Sequence, residues 1–327
     1  MIYKAFLNRQ EITGFPVKGK ETSEIWGGNV LLWEKSSMQD YFKFEYESVI
    51  TFMIKGSNIS VDWGDGMKES FANEYQDTNF NNNVKFITHT PISEGRHISE
   101  IRGIDLEVRF GDDRPGHVFS STALTKVLSP LPRCTSNYLP YLFYGCKNLE
   151  SVTEDLFKNC KNATNALETF MATSKLKNIP GKLFDYIPKL KDAVWTFRES
   201  GLESVPGKLF SKCEEMNGAA GCFSYCDNLK TTGDGLLSKQ KMIVMHSIFS
   251  DCPNLVKVND DLFANADPFS SENDNGFHGA FYGCAELLQA PNFYQKFPTL
   301  TDPKRTGLCY YECKKLPFYA SLPERWR

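Results

Sequence analysis

The sequence predicts a mainly β chain with short helices. A small amino-terminal β-hairpin module over residues 1–38 and a β-sandwich over 39–110 precede a solenoid of stacked repeats over 111–327. Three observations carry that prediction. Two strand–turn patterns open the chain, strict apolar–polar alternation follows, and from Phe119 onward one pattern returns at a nearly constant spacing.

In the first module, FLNRQEI from Phe6 and IWGGNVLLWEK from Ile25 place apolar residues on either side of Asn8-Arg9 and Gly27-Gly28-Asn29. Such turn residues between apolar runs predict hairpins. Between residues 41 and 110 the segments FKFEYESVITFMIKG, ISVDWGDG, VKFITHT and HISEIRG alternate as half-buried strands do. In the turn DWGDG, Trp63 is expected inside. Asp62 and Asp65 accept hydrogen bonds from nearby amides, and Gly64 and Gly66 take the conformations other residues avoid. Two carboxylates fall short of the roughly six to eight oxygens that calcium takes, so no metal is expected there. The stretch FANEYQDTNFNNN from Phe71 reads as an exposed loop.

The repeat begins as FSSTALTKV at Phe119. It returns as FYGCKNLESV at Phe143, FMATSKLKNI at Phe170, FRESGLESV at Phe197, FSYCDNLKTT at Phe223, FSDCPNLVKV at Phe249, FYGCAELLQA at Phe281 and YYECKKLP at Tyr310. Successive anchors lie 24, 27, 27, 26, 26, 32 and 29 residues apart. A second apolar pair recurs between them: Leu156–Phe157, Leu183–Phe184, Leu209–Phe210, Leu236–Leu237 and Leu262–Phe263. A unit this small cannot bury three apolar ridges alone, but stacked units make the ridges continuous.

Seven of the ten cysteines follow the same phase. Cys146, Cys226, Cys252, Cys284 and Cys313 share one repeat position, where Thr173 and Ser200 stand in other copies; Cys222 and Cys309 share another. Positions that accept Cys, Ser or Thr ask for small volume. No C-x-x-C pair occurs, and most of these thiols are expected to be reduced and buried, because equivalent side chains run parallel rather than crossed.

The repeat, with an aromatic, a small residue or cysteine, then Leu and Val or Ile, resembles the BspA-like leucine-rich repeats over about residues 118–318. The resemblance implies short strands stacked into a curved sheet, backed by short helical turns. An insertion at residues 270–279 and the irregular last unit, read as a cap, are the departures. VDWGDG with ITHTPISEGRHISEIRG resembles a PKD-like β-sandwich, and residues 1–38 resemble small β-modules of phage tail and tail-fibre proteins.

Composition narrows the function. Hydrophobic residues make up 41% and aromatics 13%, enough for a packed core. The formal net charge of −3 is spread along the chain without a basic stripe, so no nucleic-acid partner is expected. No apolar run is long enough for a membrane helix, and the first fifteen residues lack the apolar core of a secretory signal. The histidines (His89, His97, His117, His246 and His278) form no short metal motif. A Cys252–His246 nucleophile would need an exposed, activated thiol, which a small-residue position denies. GDGLLSK from Gly233 is a repeat turn rather than a phosphate loop. No enzyme activity and no cofactor are expected.

The expected role is binding. The residues just after the strand-starting leucines form the first candidate surface: Glu150, Lys177, Glu203 and Lys230, with Lys257 one place later. Trp195 and Tyr225 are further candidates as contact aromatics. The resemblances imply a phage or prophage tail-tip protein, in the virion tail, that recognises a bacterial cell-surface protein or glycan. Residues 1–38 would join it to other tail or baseplate proteins. The alternatives are an exported adhesin of the BspA-like type on the bacterial surface, and an intracellular scaffold.

Overall fold

The computed structural model describes residues 40–71, 85–112, 118–132, 134, 139–270 and 275–327 in full. Within residues 1–39 it describes the backbone of four short strands. The loop expected after Phe71, His117 and residues 271–274 of the insertion lie outside the described residues. The chain is mainly β with a few short helices.

β1 (Ala5–Leu7) and β2 (Gln10–Ile12) pair antiparallel across Asn8-Arg9; β3 (Glu24–Gly27) and β4 (Val30–Glu34) pair across Gly28-Asn29.

Five further strands follow: β5 (Asp40–Tyr46), β6 (Ile50–Asp62), β7 (Lys68–Phe71), β8 (Lys85–His89) and β9 (His97–Arg109). β5 buries every second residue, Phe42, Phe44 and Tyr46, as its alternation predicts. The expected sandwich takes the form of one continuous sheet, in which β5, β9, β6 and β7 are neighbours and β8 also pairs with β6. Two thirteen-residue strands make this possible by bending instead of breaking. The β6–β9 register shifts between Lys55 and Ser60, beside Gly56 (φ 142°), Asn58 (φ 49°) and Asp105 (φ 54°). The first half of β6 therefore pairs with β8, and the second half with β7. Inside the bend Phe44, Phe52, Trp63 and Phe110 are fully buried, with ring centroids 5.1–6.0 Å apart.

Among the described residues, this sheet and the repeats are joined directly. β10 (Gly111–Asp112) pairs with β11 (Phe119–Ser120). β12 (Leu124–Val127) then pairs antiparallel with β5 and parallel with β13 (Ser151–Val152) of the next unit. The amides of Phe110 and Gly111 donate to Leu142 O. One apolar core runs through both parts.

Successive repeats lie side by side, and the anchors form one column. Phe110, Phe143, Phe170, Phe197, Phe223, Phe249, Phe281 and Tyr310 stack at centroid distances of 5.2–6.1 Å with interplanar angles of 16° or less. The expected first anchor, Phe119, is not in the column; it packs edge-on against Phe86, and Phe110 at the end of β9 takes its place. Phe157, Phe184 and Phe210 form a second column at 5.3 and 4.9 Å. A third side carries minimal strands, β14 (Ser204–Val205) and β15 (Thr231–Thr232), continued by parallel bridges from Thr231 to Lys257 and on to Gln289. Turns, rather than helices, back most of these strands; four-residue helices occur at Phe293–Lys296 and Pro303–Thr306. The last unit is covered by residues 324–327, where Leu308 N donates to Arg325 O and Tyr310 N to Trp326 O.

The cysteine column forms as expected, and it has an added hydrogen-bonding role. The thiols of Cys226, Cys252, Cys284 and Cys313 each donate to the anchor carbonyl of the preceding unit, at 3.0–3.2 Å. Eight cysteines are free and buried. The remaining two, outside the shared repeat positions, are Cys134 and Cys160, which form a disulfide with their Cα atoms 4.7 Å apart. They also occupy equivalent positions in adjacent units, so parallel stacking does not by itself prevent a bridge.

Candidate functional site

The side of the repeats that carries the anchors is built on an unusual backbone. In each unit three alternate amides donate to carbonyls of the next unit, as Trp195, Phe197 and Glu199 do to Ala220, Cys222 and Ser224. The middle residue points inward; the outer two adopt the left-handed conformation. Tyr141, Glu168, Trp195, Gly221, Ser247, Gly279 and Leu308 form one such column. Gly145, Ala172, Glu199, Tyr225, Asp251, Gly283 and Glu312 form the other, and φ lies between 51° and 72° throughout. Left-handed φ costs most residues about 1 kcal/mol or more, and glycine little. Ten of these fourteen positions are nevertheless not glycine, so the strain is held by the stacking around it.

Trp195 and Tyr225, picked from sequence, both sit on these columns, 39% and 44% exposed. Arg198 lies between them, its guanidinium carbon 4.6 Å from the Tyr225 ring centroid and 5.9 Å from that of Trp195. Its Nε donates to Glu199 Oε1 at 3.1 Å. Gly221 makes room for the indole: a Cβ there would fall 2.5 Å from Trp195 Cδ1. The Asp251 carboxylate beside Tyr225, partial burial and a hydrogen bond to that carboxylate together raise the pKa of the Tyr225 hydroxyl. Two units on, Tyr282 and Tyr311 stack at 4.9 Å.

The charged row predicted from sequence lies on the strand side, away from this cluster. Its backbone is linked as expected, with Glu203 N donating to Lys177 O and Lys230 N to Glu203 O. Its side chains are partly occupied with one another. Lys177 lies 3.3 Å from Glu203, while Glu150 is drawn to the sheet by Arg96, 2.5 Å away, which also reaches Glu45 and Glu47. Beyond Lys230 the row turns apolar: exposed Val256 and Leu288 take its place, and Lys257 stands in the neighbouring column.

Arg198, Asp251, Tyr282 and Tyr311 were not singled out from the sequence. The signal for the left-handed columns was present, since Gly221 and Gly279 align with Trp195, and Gly145 and Gly283 with Tyr225. A side chain where sister copies use glycine is strained, and so informative.

In the sheet, the DWGDG turn is bound by its own donors. Asp65 accepts from Met67 N, Ile92 N and His89 Nε2 (2.7 Å), and His89 stacks flat on Trp63 at 4.1 Å. Burial alone would raise the Asp65 pKa; those donors outweigh it and hold it down at about 2. Asp62 accepts from Gly64 N and pairs with Lys68 at 2.8 Å. Donors surround both carboxylates where a cation would need oxygens. Among the described residues, no three His, Cys, Asp or Glu side chains converge as a metal site, and no helix is long and apolar enough to cross a membrane.

Burial pushes the thiols of Cys146, Cys222, Cys252, Cys284, Cys309 and Cys313 well up from their ordinary range. Cys252 has no exposed surface, the opposite of the setting in which reactive thiols occur. Burial and the neighbouring His278 lower the pKa of His246, one repeat position ahead.

No protein-family model matches the chain, and no curated protein matches it. Among solved structures, it is similar to a chain in the "Structure of the Toll - Spatzle complex, a molecular hub in Drosophila development and innate immunity". The match is 10% identical with a TM-score of 0.17, over 52% of this chain and 26% of that one. This chain thus spans about a quarter of its length. A likeness of that size fixes neither fold nor role.

Proposed function

We propose that the repeats form a solenoid of the leucine-rich kind. On this reading the chain is a non-catalytic binding protein that recognises a bacterial cell-surface protein or glycan from the tip of a phage or prophage tail. One observation carries the binding role: Trp195 and Tyr225 stand exposed on either side of Arg198, at positions where other units carry glycine. Aromatic and arginine side chains dominate binding energy where they are fixed in place before docking. The stacked anchor rings support the solenoid, since they give each unit neighbours only before and after it. Residues 1–38, with their two hairpins, are the segment assigned to joining other tail or baseplate proteins.

The purified full-length chain, fluorescently labelled, is to be incubated with a panel of intact bacteria. Saturable labelling of some strains, weakened in Trp195→Gly, is the expected result. If no strain is labelled, the proposal fails.

The Cys134–Cys160 disulfide favours a second reading, an exported surface adhesin of the BspA-like type, because disulfides persist in oxidising compartments. Antibody staining of intact producing cells separates the two. Staining at the cell surface supports the adhesin, and staining confined to released tail particles supports the tail tip.

A further inference from the structure

We propose that the anchor-bearing side of the repeats docks a protein through a basic segment, one with exposed Lys or Arg side chains. This rests on the binding role proposed above and resolves its choice between protein and glycan.

Three positions per unit carry the outer side chains of this side, from residues 141, 144 and 145 to 308, 311 and 312. Across seven units they include six aromatics, Tyr141, Tyr144, Trp195, Tyr225, Tyr282 and Tyr311, together with Met171 and Arg198, and no lysine at all. Cores of protein–protein interfaces have this composition: Tyr, Trp, Met and Arg are enriched and Lys is depleted. The strand side differs sharply, with Lys177, Lys230 and Lys257 exposed.

Charge then selects the kind of protein. Of the acids on these positions Glu168 is buried, and Glu199, Asp251 and Glu312 reach the surface; the one base is Arg198, already bonded to Glu199. With Arg198 and Glu199 offsetting each other, Asp251 and Glu312 leave this side with an excess of negative charge and no lysine, which disfavours polyanions and attracts cations. Tyrosine and tryptophan faces add to that attraction, since their π surfaces draw Lys and Arg. A neutral glycan would cover the rings and leave the carboxylates without counter-charge. The surface is also rigid before binding. Trp195 lies on Gly221, Tyr282 stacks on Tyr311, and the backbone around Trp195, Arg198, Glu199 and Tyr225 is held by ladder hydrogen bonds. Little freedom is left to lose on docking.

The test uses the labelled full-length chain on intact bacteria, with cells untreated, shaved with trypsin, which cuts after Lys and Arg, or oxidised with periodate. Two variants probe the surface. Trp195→Gly with Tyr225→Gly places at each position the residue that other units carry there. Arg198→Ser copies Ser224 and Ser250. Circular dichroism and melting confirm that each folds, and Lys208→Ser with Lys212→Ser on the turn side is the control. The expected results are binding weakened about tenfold or more by the double variant, lost on trypsin-shaved cells, reduced by added salt and unchanged by periodate or by the control. Binding that survives trypsin and is lost to periodate overturns the inference in favour of a glycan. Binding that ignores both ladder variants and falls with Lys177→Ser and Lys230→Ser overturns it in favour of the strand side. Failure of the wild-type chain to label any cell defeats the binding role itself, an outcome distinct from both.

Discussion

Replacing Phe197 by Ala tests the stacked-unit architecture most directly. The ring has no exposed surface and lies between Phe170 and Phe223, at 5.3 and 5.7 Å, with interplanar angles of 0° and 2°. Truncating a fully buried phenylalanine costs about 3–5 kcal/mol, because the removed atoms lose their burial and the cavity relaxes only in part. Here each flanking ring also loses a stacked partner, worth roughly 0.5–1.5 kcal/mol per pair beyond area, which places the expectation in the upper half of that range. Phe119→Ala is the matched comparison. Phe119 is only half-buried and meets one ring edge-on, so about 1–2 kcal/mol is expected. Urea denaturation followed by circular dichroism measures both. The Phe197 variant should also broaden the transition, since a break in mid-stack uncouples units that touch only their neighbours. A Phe170→Ala, Phe197→Ala cycle should return a coupling of roughly 0.5–1.5 kcal/mol. If Phe197→Ala costs no more than Phe119→Ala and the cycle shows no coupling, the column is not what holds the units together.

Asp65→Asn should destabilise the sheet at neutral pH. A carboxylate lowered to about 2 stabilises the fold above its unfolded value near 3.9, and that contribution is lost as pH falls toward 2. The Asp65 side chain is enclosed by its donors, so the effect is about 2 kcal/mol. The wild-type and Asn variant melting curves should therefore converge on acidification through that window. Cys252→Ser should cost less than about 1 kcal/mol, since a hydroxyl is small and still donates to Phe223 O; Cys252→Val leaves that carbonyl unpaired and should cost about 1–3 kcal/mol. Equal melting temperatures for the two would remove the thiol's hydrogen-bonding role. Thiol titration in denaturant should count eight free groups without reductant and ten with it. Ten in both cases would mean that Cys134 and Cys160 are not joined.

Much of the repeat architecture was legible because periodicity constrains it. Each anchor from Phe143 to Phe281 sits where the spacing puts it, and the shared Cys, Ser and Thr position is buried because its volume is small. Phe119 misled because it has the right residue at the right spacing, while the column begins earlier, at Phe110 just after a strand that the alternation assigned to a separate domain. The single folded sheet was not legible. Bulges near Gly56 and Asp105 turn two long strands back over their own core, and local alternation is indifferent to such bends. In the candidate site, Trp195 and Tyr225 were visible as aromatics, but Arg198 and Asp251 gain meaning only from the neighbouring unit, about 26 residues away. The Cys134–Cys160 bridge was not legible, because neither cysteine lies at the two repeat positions that the recurring cysteines mark.

The left-handed columns separate backbone from alphabet. Since every unit holds the same two kinks whether it carries Gly, Trp, Glu, Tyr or Leu, a new side chain can be installed there without redrawing the main chain. The conformational toll on leaving glycine is about the same at each of the fourteen sites. Such a surface works like movable type in a rigid frame: specificity can be reset letter by letter while the frame keeps its shape.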